Sequence, residues 1–235
     1  MIAKIKERKE IATDKLYVAF DLSGQNVPFK AGQFFSLTLL NPPYTDNRGN
    51  SRFLGIVNSP SQKDFFSVLT QMGVSGFKKS LAELPLGTDV DISGIDGRIH
   101  LPEDINQPVV FIAGGVGIAP IMSIIRWSKE QNWPYKLTLI YVNENRESSA
   151  FLEELETYAK ENQNFKLIPV MTNTPDWTTI KSFIDSSFIK NKFPNPENNK
   201  YFITGAPRFA TTMMVTLKEA GVTIPNITME LFTGY

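Results

Sequence analysis

The sequence contains no cysteine. This absence excludes disulfide bonds, thiolate-bound metals and an iron–sulfur cluster held by cysteine on this chain. Any such cluster must therefore belong to another protein. We also see no pattern that suggests a metal site of another kind.

Net charge and long apolar runs are the next two features that the sequence lacks. Lys plus Arg and Asp plus Glu are equal at 24 each, so no overall field attracts nucleic acid or an anionic membrane surface. No apolar run approaches the roughly 20 residues that a membrane helix needs. Residues 1–18 alternate and carry many charges, unlike a signal peptide. We expect a cytoplasmic protein without nucleic-acid binding or membrane insertion.

The first hundred residues consist of short β-type runs separated by turn signals such as Ser23-Gly24 and Ser59-Pro60. This density of turns is typical of an antiparallel barrel or sandwich. One helical stretch, 75–84, interrupts the pattern. The predicted strands include 15–22, 33–40, 65–71 and 88–92.

After residue 103 the pattern changes to alternating strands and helices, which indicates a parallel α/β sheet. We therefore predict two domains, residues 1–103 and 104–235. Pro169 removes a backbone donor, so its strand should lie at an edge or contain a bulge. The predicted strands are 109–113, 137–142, 166–171, 201–204 and 227–230, with helices between them.

A glycine turn follows the first of these strands directly. It reads Gly114-Gly115-Val116-Gly117-Ile118-Ala119-Pro120 and continues into a helix. Glycines let the backbone approach a pyrophosphate, and the helix start favours its negative charge. Pro120 stands where the usual dinucleotide fingerprint has a third glycine, and proline suits a first helical turn. The alternative interpretation is a tight structural turn.

Small or polar residues follow the other strands, where ligands of parallel sheets bind. Asn143 and Glu144 follow the second strand, and Glu144 can accept a hydrogen bond from a ribose 2′-hydroxyl. Arg146 can instead pair with a 2′-phosphate. The alternative is a solvated charged loop. A second close backbone approach is predicted after the fourth strand, at Gly205, Ala206 and Pro207.

In their order and spacing, these segments resemble the ferredoxin-NADP reductase superfamily over nearly the whole chain. The resemblance implies a flavin-binding Greek-key barrel followed by a nucleotide-binding α/β domain. It rests on Ala31 to Phe34, Arg52 to Gly55, Ser59-Pro60, Gly73 to Lys78, the glycine turn, Thr204 to Pro207, and Glu230 to Tyr235.

The resemblance assigns flavin contacts to the barrel. Arg52 corresponds to the arginine that binds the flavin phosphate, and Ser75 to the start of the phosphate-binding helix. Leu54 replaces the family's ring-stacking aromatic, and Gly55 replaces the hydroxyl residue at flavin N5. Phe53 covers the ring from a shifted position in one interpretation and is a barrel-core residue in the other. The Gly55 amide is a further candidate for the N5 contact.

The resemblance also implies the chemistry. NADH or NADPH passes a hydride to FAD, with FMN as an alternative flavin, and the electrons go to a separate acceptor protein or small molecule. Thr204 replaces a cysteine common in the family near the nicotinamide. Glu230 corresponds to a terminal carboxylate that relays a proton, or is an exposed structural glutamate. Phe232 and Tyr235 lie in a tail expected to return to the flavin. A non-catalytic flavin- or nucleotide-binding regulatory protein is the rival hypothesis.

Overall fold

The structure is a computed structural model that describes residues 1–173 and 184–232. Its contacts divide the chain into two compact units. The first unit contains Met1–Gly97 together with Ala119–Trp127. The second contains Arg98–Ile118 and the described residues from 128 to 232.

The first unit is built on a six-stranded antiparallel sheet with the order β4-β3-β6-β1-β2-β5. Its two outer strands are joined by an antiparallel bridge between Ile56 and Val68, and the Val57 amide donates to the Ser67 carbonyl at 2.8 Å. The sheet therefore closes into the predicted barrel. The elements are β1 (Ile2–Ala12), β2 (Lys15–Asp21), β3 (Phe34–Leu39), β4 (Ser51–Gly55), β5 (Phe65–Gln71), α1 (Gly76–Glu83) and β6 (Asp89–Asp96).

Alternating side chains fill the barrel. Strand β3 alternates between half-buried and buried residues, as expected for a strand with one face on a core. Phe35 from this strand stacks on Phe66 with ring centroids 5.3 Å apart and meets the edge of Phe20 at 6.1 Å. These aromatic contacts order the centre of the core.

Part of helix α2 (Ile118–Glu130) groups with the barrel. The Ser123 hydroxyl donates to the Asn58 carbonyl at 2.7 Å, and Arg126 Nη1 donates to the Val57 carbonyl at 3.3 Å. Both acceptors lie directly after β4. This helix therefore fixes the backbone that follows the Arg52 to Gly55 segment.

The second unit contains a five-stranded parallel sheet with the order β11-β10-β7-β8-β9. Its central strand β7 is buried over nearly its whole length, which is typical of a parallel sheet covered on both faces. The predicted α/β fold is confirmed. The elements are β7 (Val109–Gly114), β8 (Leu137–Asn143), α3 (Leu152–Glu161), β9 (Phe165–Met171), α4 (Ser186–Lys192), β10 (Lys200–Gly205), α5 (Pro207–Glu219) and β11 (Ile227–Leu231).

Two details of this sheet bear on the site. Pro169 lies in β9, which is an edge strand among the described strands, so the edge prediction is confirmed. Strand β7 has β8 on one side and β10 on the other. The connections therefore run in opposite directions from β7, and ligands of such sheets bind at this point, beyond the carboxyl ends. Those ends are Gly114 and Gly205.

Candidate functional site

The glycine turn needs its glycines for two different reasons. Gly115 has a φ of +52° and open space around the position of a Cβ. A Cβ on Gly117 would lie 2.6 Å from the Thr204 carbonyl oxygen and 2.8 Å from the Gly205 Cα. Gly117 therefore permits the close packing of the turn on β10, while Gly115 leaves its backbone open to a ligand.

A buried tyrosine beneath the turn supports it. The Tyr141 hydroxyl lies 3.2 Å from the Ala150 carbonyl and 3.4 Å from the Gly115 carbonyl, and it is fully buried. The ring packs in the core, and its hydroxyl bonds to the backbone of the turn. The Val116 side chain is also buried.

Two polar atoms near the strand ends have no hydrogen-bond partner in the described part of the chain. They are Asn143 Nδ2 at the end of β8 and Thr204 Oγ1 near the end of β10. Asn143 is 7% exposed and Thr204 is fully buried. Because an unpaired buried polar group is costly, such groups point to a missing ligand or water. Both lie where the sheet's topology predicts a ligand.

Phe209 is a feature of this edge that the motifs did not reveal. Cβ atoms on Gly114 and Gly205 would lie 3.0 and 2.9 Å from the Phe209 ring, so the ring packs directly on both glycines. Gly205 also has a φ of +150°. Ala206 and Pro207 begin helix α5 at the surface. Phe209 belongs to no recognisable motif, so the sequence did not predict this contact.

Arg146 is held by a carboxylate on α3. Its Nη1 and Nη2 atoms donate to Glu156 Oε1 and Oε2 at 2.6 and 2.7 Å. This bidentate bond holds the pKa of Glu156 below its usual range. The Glu144 carbonyl accepts from the Asn173 amide at 2.8 Å, which fixes the loop after β8. In this structure, the guanidinium of Arg146 is therefore bound by the carboxylate of Glu156.

In the first unit, Arg52 is buried and points back to its own loop. Its Nη1 donates to the carbonyls of Arg48, Gly49 and Ser51 at 2.9, 3.0 and 2.7 Å. The guanidinium also lies 5.1 Å from the centre of the Phe77 ring. Its Nη2 is buried and has no hydrogen bond to a described residue, and it lies 3.6 Å from Asp46 Oδ1. Burial and the neighbouring Arg48 lower the pKa of Arg52.

Helix α1 adds its start and a lysine to this cluster. Ser75 is the N-cap, and its hydroxyl accepts from the Lys78 amide at 3.3 Å. Lys78 is buried, and burial together with Arg48, Arg52 and Lys15 lowers the pKa of its ammonium. The sequence pointed to Arg52 and Ser75 as phosphate contacts, whereas Lys78, although it lies in the Gly73 to Lys78 segment, was assigned no role.

The three residues after Arg52 have different surroundings. Phe53 is 61% exposed and meets the Phe34 ring at 5.5 Å, so the interpretation of Phe53 as a barrel-core residue is wrong. Leu54 lies in the barrel core. A Cβ on Gly55 would lie 2.5 Å from Pro120 Cδ and 3.1 Å from Pro120 N. Pro120 therefore packs against Gly55 and fills the space that a side chain at position 55 would need.

We expect Gly55→Ser, which restores the family's hydroxyl, to destabilise the protein by about 1–3 kcal/mol, because the new Cβ overlaps Pro120. Chemical denaturation measures this change. Phe53→Tyr adds a hydroxyl at the exposed neighbouring position and is the matched control, with an expected change within about 0.5 kcal/mol. A Gly55→Ser protein as stable as the control would contradict the packing described.

The last described residues bond to backbone groups elsewhere in the second unit, Glu230 through its side chain and Phe232 through its amide. Glu230 is 5% exposed, and its Oε2 accepts from the Arg98 amide at 2.7 Å, so the interpretation as an exposed structural glutamate is wrong. Phe232 is buried, and its amide donates to the Gly205 carbonyl at 3.3 Å. Tyr235 lies outside the described residues.

Comparison with known proteins agrees with this geometry. Residues 111–214 match the model of the oxidoreductase NAD-binding domain. NADH-cytochrome b5 reductase 1 of Laccaria bicolor is 33% identical over 159 residues, which are 65% of this chain and 51% of that protein. NADH-cytochrome b5 reductase 1 of Aspergillus oryzae is 28% identical over 176 residues, which are 71% of this chain and 60% of that protein. The chain thus spans about half of the first relative's length.

Solved structures share the fold at lower identity. The ferredoxin NADP+ reductase of Neisseria gonorrhoeae, with bound FAD and NADP, aligns with a TM-score of 0.82 at 21% identity over 98% of each chain. The Amycolatopsis cytochrome P450 reductase aligns with a TM-score of 0.84 at 23% identity over 98% of this chain and 68% of its own. Over residues 111–214 the chain matches the oxidoreductase NAD-binding domain, it is similar in sequence to the NADH-cytochrome b5 reductases, and it shares its fold with these reductase structures.

Proposed function

We propose that the protein is a flavin-dependent reductase that takes a hydride from NADH or NADPH and passes electrons to a separate acceptor. The observation that carries this proposal is the presence of two phosphate-type sites in one chain. One is the open Gly115 turn, and the other is the buried cluster of Arg52 and Lys78 at the start of α1. A flavin nucleotide and a nicotinamide nucleotide each bring phosphates.

The residues of the first unit fit a flavin phosphate. Arg52 Nη2 is a buried donor without a hydrogen bond to any described residue, and the charges that act on Lys78 are all cations. Because guanidinium groups and helix starts both bind phosphate oxygens, this cluster suits the phosphate of FAD or FMN. Phe53 offers an exposed aromatic ring, and the Gly55 backbone is the candidate contact to flavin N5. When bound, the flavin accepts the hydride and releases its electrons singly or in pairs.

The residues of the second unit fit a nicotinamide nucleotide. The Gly115 backbone is open to a pyrophosphate, and the unpaired atoms of Asn143 and Thr204 offer it hydrogen bonds. We assign flavin binding to residues 1–103 and nucleotide binding to residues 104–235. Gly114, Val116, Gly117 and Pro120 shape the first turn, and Gly205, Ala206 and Pro207 the second.

We assign the reaction's protein groups to the carboxyl-terminal part. Thr204 orients the nicotinamide through its hydroxyl, and Glu230 holds a proton near the flavin. Two observations support this placement of Glu230: the side chain is buried, and the Arg98 amide holds its Oε2 at 2.7 Å. Phe232 and Tyr235 cover the flavin. Deletion of residues 232–235 tests the cover, because the truncated protein should bind flavin less tightly and show a changed KM for the nicotinamide.

An acceptor assay tests the function. The purified chain is stripped of flavin, supplied with FAD or FMN, and given NADH and ferricyanide, a small artificial acceptor. We expect ferricyanide reduction that depends on the added flavin and needs no second protein. Activity without flavin, or none with either flavin and either nicotinamide, contradicts the proposal. The flavin extracted from freshly purified protein identifies the natural cofactor.

We expect a preference for NADH, with a kcat/KM ratio over NADPH of about ten or more, the size of an interaction near 1.4 kcal/mol. Arg146 is the cation that would bind a 2′-phosphate, but Glu156 holds it in a bidentate bond. Glu153 and Glu147 also act on Arg146 and make its surroundings acidic. Kinetics with both cofactors measure the ratio.

Glu156→Gln should lower this ratio several-fold, because it releases Arg146 for a 2′-phosphate. Glu161→Gln removes a carboxylate from the same helix, where Glu161 pairs with Lys129 at 2.9 Å, and is the matched control. Equal use of both cofactors by the natural chain, or an equal response of the two variants, would sink this assignment.

The acceptor is proposed to be a separate protein or small molecule. The fungal relatives are named for cytochrome b5, so a small haem protein of that type is the acceptor to test first. Among the described residues, no helix has the length and apolar character needed to cross a membrane. The cytoplasmic location stays a prediction of the sequence, and cell fractionation tests it.

A further inference from the structure

Asp46 occupies the start of helix α1 from a neighbouring loop. Its Oδ2 accepts from the Gly76 amide at 2.6 Å, and its Oδ1 accepts from the Arg48 amide at 2.9 Å. A Cβ on Gly76 would lie 2.7 Å from the Thr45 carbonyl carbon, so the loop packs directly on the helix start. A carboxylate thus lies at an amide that an anion bound to this helix would use.

The same carboxylate faces the free side of Arg52. Arg52 Nη1 is already bonded to three carbonyls, whereas Nη2 has no hydrogen bond to a described residue and lies 3.6 Å from Asp46 Oδ1. That separation is an ion pair without a hydrogen bond. Nη2 therefore keeps a donor for a closer anion than Asp46.

Cations surround the two buried basic side chains of the cluster. Arg48 and Asp46 act on Arg52, while Arg48, Arg52 and Lys15 act on Lys78. Hydrogen bonds from the Arg48 and Gly76 amides, together with Arg52, hold the pKa of Asp46 below its usual range. Asp46 is therefore charged at neutral pH and acts as an anion on Arg52.

We propose that Asp46 is an internal counter-anion that stabilises this phosphate site when flavin is absent and competes with the flavin phosphate when flavin binds. The inference rests on the proposed function, since it takes Arg52 and the α1 start as the phosphate site. Two anions in contact repel each other, so the phosphate must displace Asp46 from Gly76 and Arg52 or bind against its charge. Asp46 thereby lowers flavin affinity and stabilises the empty protein.

The test compares flavins with and without phosphate. Asp46→Asn keeps the size of the side chain and an oxygen for the Gly76 amide, but removes the charge. We expect it to bind FMN and FAD about tenfold more tightly than the natural chain, a difference near 1.4 kcal/mol. Riboflavin, which has no phosphate, should bind both proteins equally. Flavin fluorescence quenching gives the dissociation constants, and thermal melting of the flavin-free protein should show a lower Tm for Asp46→Asn.

Asp89→Asn is the matched control. Asp89 is an exposed carboxylate of the same unit and pairs with Lys4 at 2.7 Å, so its loss changes the net charge equally. We expect it to leave the affinities for FMN and riboflavin unchanged. Asp46→Ser is a second variant with a short oxygen acceptor and no charge, and it should also tighten FMN binding if Asp46→Asn folds poorly.

The outcomes separate this inference from the proposed function. FMN binding that is unchanged or weaker in the folded Asp46 variants overturns the competition, and so does an equal gain for riboflavin. In those cases the natural chain still binds flavin, and the proposed function stands. If the natural chain and all variants bind none of the three flavins, the proposed function itself fails.

Discussion

Arg52→Ala is expected to weaken FAD binding by about 10- to 100-fold, because a charge-assisted hydrogen bond to phosphate contributes roughly 1.5–3 kcal/mol. The buried Nη2 donor of Arg52 has no hydrogen-bond partner among residues 1–173 and 184–232. Under the proposed function, its loss therefore removes a contact to the flavin phosphate. The dissociation constants of FAD and riboflavin, measured side by side, should diverge, since only FAD has a phosphate.

Arg52 also supports its own loop, so the variant needs controls. Its Nη1 bonds to the carbonyls of Arg48, Gly49 and Ser51, and their loss should lower the stability of the flavin-free protein. Arg52→Lys keeps the charge but loses the two-pronged geometry, and should have intermediate affinity. Lys79→Ala removes a cation from the exposed face of the same helix and should change nothing. Natural FAD affinity in folded Arg52→Ala would falsify the placement of the phosphate.

Gly117→Ala is expected to abolish tight NADH binding and to lower the free energy of unfolding by about 1–3 kcal/mol. The new Cβ would lie 2.6 Å from the Thr204 carbonyl oxygen, and only a backbone shift relieves this overlap. The shift separates the glycine turn from the end of β10. Calorimetric titration with NADH and chemical denaturation measure the two effects.

Gly115→Ala is the comparison within the same turn. Its Cβ would meet open space, so its cost comes only from the positive φ, at about 1–2 kcal/mol. Hydrogen exchange distinguishes the two causes, because Gly117→Ala should lose amide protection in β10 at Thr204 and Gly205 while Gly115→Ala keeps it. Equal protection in both variants would contradict the close packing at Gly117.

The elements that the sequence predicted well are those with strong local periodicity. Strand β7 and the glycine turn follow from an apolar run that ends in glycines, and helix α1 follows from an N-cap serine before a helical pattern. The predicted helix 75–84 and the observed Gly76–Glu83 differ only at the ends. Pro169 at a sheet edge follows from its missing amide alone.

The contacts that the sequence did not predict join residues far apart in the chain. From sequence, Gly55 was interpreted as a position that lacks the family's hydroxyl side chain. The structure shows that Pro120 leaves no room for a side chain there. Asp46 lies in a loop with ordinary turn composition, and its role depends on the distant amide of Gly76. Phe209 packs on two glycines that no local pattern links to it. Such pairings follow from tertiary packing, which periodicity does not record.

The ion pair between Arg146 and Glu156 is another example. From sequence, Arg146 was a candidate for binding a 2′-phosphate. The residues around it in the sequence did not indicate which carboxylate would form an ion pair with it. The turn into α3 brings Glu156 into bidentate contact. The proposed preference for NADH thus rests on a contact between residues ten positions apart that a motif alone does not specify.

The most direct test of the account is anaerobic mixing of the flavin-loaded protein with NADH while the visible flavin absorbance is followed. Transfer of a hydride to bound flavin predicts bleaching within seconds, with one NADH consumed per flavin, and recovery of the absorbance when ferricyanide is added. A protein that holds flavin tightly but shows no bleaching with NADH or NADPH would contradict the account and favour a regulatory flavin-binding protein.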